Sequence, residues 1–282
     1  MIHFASFYCP DLDRDLLDAW LAYYLSMRFE SYTVFLNTRQ LHEENLFTVR
    51  DRMKQSGVSV RVAIGPFNDG QLQSEVLREF SGTLPKDDFL VIADSDEFQT
   101  VPRNAYGGYD VTRGVLVDRY ADALIDAVTE PGRPVDCVSG LEALYPHAGN
   151  IEELIRQDLP PQYCNGWACT KREKICCTRA GYDVSYTGSH GFHPDFEKTI
   201  LPSLRVDPVV YPVNHYTWRS GILRRMLGRS YRNAASAWYV WKFFGGQGTD
   251  YPPELAGAIE KEDLRHSTMW DPQTPPTRQD SL

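Results

Sequence analysis

Three carboxylates stand within four consecutive residues of this chain, at Asp94, Asp96 and Glu97. Such crowding costs electrostatic energy unless a cation or a proton shares the site. Because successive side chains of an extended segment alternate, Asp94 and Asp96 can point the same way. Two hard oxygen ligands side by side suit Mn²⁺ or Mg²⁺, which can also hold a substrate diphosphate. The triplet Asp94-Ser95-Asp96 is therefore a candidate metal and diphosphate site, and a solvated loop after a strand is the alternative.

The same local pattern fits a second chemistry. Phosphatases of the haloacid-dehalogenase type place an Asp-x-Asp triplet after an apolar strand and use its first aspartate as the nucleophile, which here would be Asp94. Their triplet usually lies on the first strand and continues to Thr or Val two positions past the second aspartate. In this chain the triplet follows about three strand-helix units, and that position is Phe98. The phosphatase remains the alternative reaction.

The elements before the triplet predict the α/β class. Apolar, β-rich runs predict strands at 2–9, 32–36, 58–64 and 89–93, and helical spacing predicts helices at about 12–25, 41–54 and 71–80. The run at 89–93 does not alternate, which suits a strand buried on both faces of a parallel sheet. Strands and helices in alternation predict a three-layer α/β/α sandwich. Ligands of such sheets bind outside the carboxyl ends of the strands, where Asp94 lies.

Beyond residue 100 the pattern is less regular. Further strands are predicted at 114–120, 174–178 and 209–211, and a helical segment at 218–244. We predict a main domain at 1–218, a helical C-terminal extension at 219–270, and a flexible tail at 271–282 that is rich in Pro, Thr and Gln. The extension includes a basic amphipathic helix at 222–232, which either packs on the domain or contacts an anionic membrane surface or an acidic acceptor.

Composition narrows the classes of function. The 282 residues are 42% hydrophobic and carry a formal net charge of −9. An acidic chain is a poor general binder of nucleic acid, because that binding needs clustered Lys and Arg. The N-terminus does not resemble a signal peptide and no apolar run is long enough to cross a bilayer, so we expect a cytoplasmic protein. The six cysteines form no C-x-x-C pair and are expected to be free thiols.

Several segments together resemble the glycosyltransferases of family 2 and family 92. They are, in chain order, 18–25 (DAWLAYYL), 32–36 (YTVFL) and 90–98 (LVIADSDEF), with looser counterparts at 114–120, 187–190 and 214–219. The resemblance implies a GT-A-like fold, a nucleoside-diphosphate sugar donor, an acceptor hydroxyl and a divalent cation. The turn at 37–40 lacks the acidic motif that these relatives often carry. The Glu-Asp pair that supplies the base in many family-2 enzymes is not found either.

The resemblance also extends to single residues. It implies that a histidine from a late segment completes the metal site of Asp94 and Asp96, and His215 is the candidate. Asp118, at the end of a predicted strand, is the first candidate for the general base of the transfer, and Glu97 is the second.

Two further residues are candidates for binding the nucleotide sugar. Lys174 can offset the charge of the diphosphate, and His190, in a Gly-rich turn, can approach the donor. Ordinary structural roles remain open for each candidate: a packed histidine, a strand-end ion pair or a solvated lysine.

The predicted function is a metal-dependent glycosyltransferase of the hexosyltransferase type. Besides the phosphatase, a catalytically inactive relative that still binds sugar nucleotides is the alternative.

Overall fold

The computed structural model describes residues 1–39, 41, 44–65, 70–100, 120–130, 132, 135–144, 168–184, 192, 203–208 and 211–215. All of them belong to one compact unit, Met1–Ser220. The predicted extension at 219–270, with its basic helix at 222–232, and the tail at 271–282 lie outside the described residues. These three assignments stay predictions.

The described residues form eight strands, five α-helices and a 3-10 turn. In chain order they are β1 (Ile2–Tyr8), α1 (Pro10–Asp13), the 3-10 turn (Arg14–Leu16), α2 (Leu17–Ser26), β2 (Ser31–Thr38), α3 (Glu44–Gln55), β3 (Ser59–Ile64), α4 (Gly70–Thr83), β4 (Phe89–Asp94), β5 (Glu97–Gln99), α5 (Tyr120–Thr129), β6 (Cys137–Leu144), β7 (Ala168–Arg179) and β8 (Tyr211–His215). Each strand and helix predicted before the acidic triplet is present.

The strands form one sheet in the order β3-β2-β1-β4-β7-β6-β8-β5. The neighbouring pairs β3–β2, β2–β1, β1–β4 and β6–β8 are parallel. The pairs β4–β7, β6–β7 and β5–β8 are antiparallel. Four of the seven neighbouring pairs among the described strands are therefore parallel, which confirms an α/β fold with a mostly parallel sheet.

Helices cover both faces of this sheet. Side chains of β1 alternate, so that Phe4 and Tyr8 lie in one core cluster and Ala5 and Phe7 in the other. The first cluster takes in side chains of α2, α3 and α5, and the second takes in side chains of α4. A sheet between two apolar clusters gives the predicted three-layer sandwich, and it explains why β4 shows no alternation of apolar and polar residues.

The predicted helix at 12–25 is interrupted. Asp13 has non-helical backbone angles (φ −124°, ψ 15°), and the 3-10 turn follows it before α2 begins. The Tyr8 hydroxyl donates a hydrogen bond of 2.5 Å to the Asp13 carbonyl oxygen. The interruption places the Asp13 side chain in the interior, beside the acidic triplet.

The second half of the described chain differs more from expectation. α5 and β6 were not predicted, and β7 is much longer than the strand predicted at 174–178. The strand predicted at 114–120 lies outside the described residues except for Tyr120, which begins α5. The buried positions of α5 are Tyr120, Leu124, Ala127 and Val128. This spacing is helical, so the sequence does carry the signal for α5.

Two predictions from composition can be compared with the structure. Among the described cysteines, Cys9, Cys137, Cys176 and Cys177 are buried thiols that form no disulfide, as expected from the sequence. Within the described ranges, no helix is both long enough and apolar enough to span a membrane.

Candidate functional site

The acidic triplet forms a tight turn at the carboxyl end of β4, a central strand of the sheet. β4 ends at Asp94, and β5 begins three residues later at Glu97. Ser95 and Asp96 are buried, whereas the Asp94 side chain is 23% exposed. A solvated loop is therefore ruled out, and Asp94 is the carboxylate of this turn that solvent reaches most easily.

A lysine supplies the positive charge that the crowded carboxylates require. Lys174 of β7 places its Nζ 3.0 Å from Asp94 Oδ2 and also contacts Glu97 Oε1. The side chains of Lys174 and Glu97 are 1% and 0% exposed. The ammonium therefore acts on Asp94 and Glu97 from inside the protein.

Glu97 holds the turn from within. Its second oxygen, Oε2, accepts a hydrogen bond of 3.2 Å from the backbone N–H of Asp94. A general base has to come within hydrogen-bond distance of the acceptor hydroxyl. In the structure Glu97 is fully buried and in an ion pair with Lys174, which assigns it to stabilising the turn. Its role as the second candidate base stays a prediction.

Two polar side chains at the turn were missed by sequence analysis. Gln73 of α4 donates through Nε2 to Asp94 Oδ1 at 2.9 Å, and Ser95 Oγ donates to Asp13 Oδ2 at 2.5 Å. Both Gln73 and Asp13 are buried. Gln73 precedes the buried Leu77 of the same helix by four positions. A polar residue on an apolar helix face is the signal that could have identified it.

His215 is brought to the turn by strand pairing. β5 and β8 are antiparallel with Glu97 opposite His215, and His215 Nε2 lies 3.2 Å from Asp96 Oδ1. Two ligands on adjacent octahedral positions, each about 2.1 Å from a small dication, are about 3 Å apart. The spacing of Asp96 and His215 therefore fits two ligands of one ion. No group of three His, Cys, Asp or Glu side chains among the described residues has metal-binding geometry.

Two buried tyrosines hold β5, the strand that follows the turn. The Tyr24 hydroxyl donates to the Glu97 carbonyl oxygen at 2.9 Å and accepts the backbone N–H of Gln99 at 3.2 Å. The Tyr120 hydroxyl donates to Gln99 Oε1 at 2.5 Å. Burial raises the pKa of Tyr24 and of Tyr120 well above the ordinary value, so both phenols remain neutral donors. These bonds fix β5, and with it the pairing that places His215.

Two candidate site residues cannot be placed. Asp118 and His190 lie outside the described residues, so their roles remain predictions. The structure brings together Asp94, Asp96, Glu97, Lys174 and His215, which come from β4, β5, β7, β8 and the turn between β4 and β5.

No model of a known protein family matches this chain, and no curated protein matches it. Among solved structures, it is similar to the crystal structure of 4-diphosphocytidyl-2C-methyl-D-erythritol synthase, with a TM-score of 0.30 and 12% sequence identity. The match covers 64% of this chain and 75% of the other. A similarity this weak does not bear on function, which has to be inferred from the site itself.

Proposed function

We propose that this chain is a metal-dependent glycosyltransferase that moves a sugar from a nucleoside-diphosphate sugar to an acceptor hydroxyl. The observation that carries the proposal is the contact of Asp96 with His215 beside the end of β4. A carboxylate and an imidazole at that spacing, next to the more exposed Asp94, form a set of ligands suited to Mn²⁺ or Mg²⁺. The position also agrees with the general location of ligands in α/β sheets.

In this proposal each described residue has a definite task. Asp94, Asp96 and His215 would hold the metal, and the donor diphosphate would reach Asp94 and Asp96 through that ion. When bound, the metal acts as a Lewis acid that neutralises the charge of the leaving diphosphate. Lys174 is buried behind Asp94 and therefore acts through that carboxylate. Asp118 is the proposed base, and His190 a proposed contact to the donor.

The test is calorimetric titration of nucleoside diphosphates with and without Mn²⁺. We expect Asp96→Asn and His215→Gln to lower the Mn²⁺-dependent affinity by at least about a hundredfold, or about 3 kcal/mol. Each change removes one ligand and keeps the approximate shape of the side chain.

His3→Gln is the matched control. His3 Nε2 also contacts a carboxylate, that of Asp88 at 2.9 Å. His3 lies opposite Leu90 at the start of β4, whereas Asp94 ends that strand. We expect the Mn²⁺-dependent nucleotide affinity of the His3→Gln variant to stay within about threefold of the wild-type value. Unchanged Mn²⁺-dependent affinity in both site variants would remove the basis of the proposal.

Asp94→Asn separates this reaction from the phosphatase alternative. In the glycosyltransferase, we expect the change to weaken Mn²⁺-dependent nucleotide binding. In a phosphatase, Asp94 would form a covalent aspartyl phosphate, so the variant would lose turnover while it still bound substrate. Mass spectrometry of the trapped protein detects that phosphate directly. Nucleotide-sugar binding by the wild type without any sugar transfer would indicate an inactive relative.

A further inference from the structure

We propose that Lys174 is a built-in counter-cation of the acidic turn and that its charge lowers the affinity of the site for a divalent cation alone. This inference rests on the proposed function, because it assumes that a metal binds at Asp96 and His215. It adds a regulatory task to a lysine whose side chain is almost completely buried.

The contacts of Lys174 form a closed ring around Asp94. The ammonium donates to Asp94 Oδ2 and to Glu97 Oε1, and Glu97 Oε2 accepts the backbone N–H of Asp94. Lys174 thus contacts the side chain of Asp94 directly. Through Glu97 it also holds the backbone of Asp94. Gln73 holds the other oxygen of Asp94 at 2.9 Å. The ring defines one position for Asp94 before any ligand arrives.

The strand that carries Lys174 fixes the position of the ammonium. β7 pairs with β4 on one side and with β6 on the other, and Lys174 lies opposite Gly140 of β6. The backbone of Lys174 is fixed by strand pairing on both sides, and its ammonium is buried. The ammonium therefore has little freedom to move away from the carboxylates when a second cation binds. Its charge therefore opposes an arriving metal ion.

The formal charges show how the fixed ammonium of Lys174 affects the site. Asp94, Asp96 and Glu97 together carry −3, and Lys174 reduces that total to −2. With the ammonium in place the turn folds without a metal, and a dication meets less negative charge than the three carboxylates alone would offer. Metal binding then depends more strongly on the added negative charge of a diphosphate.

Three variants form a charge series that tests this idea. Lys174→Met brings the total to −3, Glu97→Gln brings it to −1, and the double variant returns it to −2. The probe is Mn²⁺ alone, titrated by calorimetry or by electron paramagnetic resonance. We expect Lys174→Met to bind Mn²⁺ at least about tenfold more tightly than the wild type and Glu97→Gln at least about tenfold more weakly. The double variant should bind within about threefold of the wild type.

Lys86→Met is the matched control, because Lys86 is exposed and the change alters the net charge of the protein equally. Its Mn²⁺ affinity should not change. If Lys174→Met does not fold, Glu97→Gln and the double variant still give two points of the series. A purely structural role of Lys174 would weaken Mn²⁺ binding in all three site variants, and that result would overturn the inference.

The outcomes also separate this inference from the proposed function. Unchanged Mn²⁺ affinity across the series, with intact Mn²⁺-dependent binding of nucleoside diphosphates, would overturn the role of Lys174 only. Failure of every protein to bind Mn²⁺, with or without a nucleoside diphosphate, would overturn both.

Discussion

Replacing Lys174 by Met should have a large effect on folding, and its size follows from burial. Lys174 and Glu97 are 1% and 0% exposed, so neither charge is solvated by water in the folded protein. Removing one partner of such a pair leaves the other charge buried without its counter-ion, which costs about 3–5 kcal/mol. Since domains are stable by about 5–15 kcal/mol, the variant loses a large fraction of its free energy of unfolding.

The double variant Lys174→Met with Glu97→Gln should recover much of this loss. It removes both charges together, and replacing a buried pair with neutral residues of similar volume is often nearly neutral for stability. We therefore expect a coupling energy of at least about 2 kcal/mol between the two positions. The measurement is urea denaturation of the wild type, both single variants and the double variant, followed by circular dichroism.

Arg52→Met is the control for the same loss of charge at the surface. Arg52 Nε lies 2.8 Å from Asp18 Oδ1, and the two side chains are 51% and 56% exposed. Such a pair contributes less than about 1 kcal/mol, because water solvates both groups. A Lys174→Met variant that loses no more than Arg52→Met would refute the reasoning. Additive effects at Lys174 and Glu97 would refute it as well.

Two further predictions concern positions outside the acidic turn. Gly140→Ala should cost about 1–3 kcal/mol in urea denaturation, because an added Cβ would overlap Cys176 Sγ and lie 2.7 Å from Val213 Cγ2. Gly82→Ala, where nothing lies within 4 Å, should not destabilise the protein. Asp136→Asn should destabilise it at pH 7 by about 2 kcal/mol. Although burial acts to raise the pKa of Asp136, hydrogen bonds from two arginines lower it overall. A lowered pKa contributes stability above the ordinary value near 3.9 that is lost as the pH falls, so the gap between variant and wild type should close below about pH 4. A gap that stays constant down to pH 2.5 would contradict this explanation.

The sequence alone determined the first half of the fold and the location of the turn. Both depend on local patterns, because apolar runs and helical spacing identify elements one at a time. The continuous apolar run at 89–93 indicated a strand buried on both faces, and the acidic residues directly after it indicated a strand end. The need for a cation among three neighbouring carboxylates was also evident from the sequence, since it follows from charge and spacing.

Only the tertiary structure decided which groups meet that turn. Lys174 and His215 reach it through the register of β7 and β8, and register depends on pairing between segments that are far apart in the chain. The residue type of Lys174 indicated a contact with the diphosphate, whereas burial makes its ammonium the partner of Asp94 and Glu97. Gln73 and Asp13 also became visible as neighbours of the turn only in the folded chain, because they reach it from α4 and from the end of α1. Local patterns report which face of an element is buried, but the identity of the groups it is buried against is a property of the whole fold.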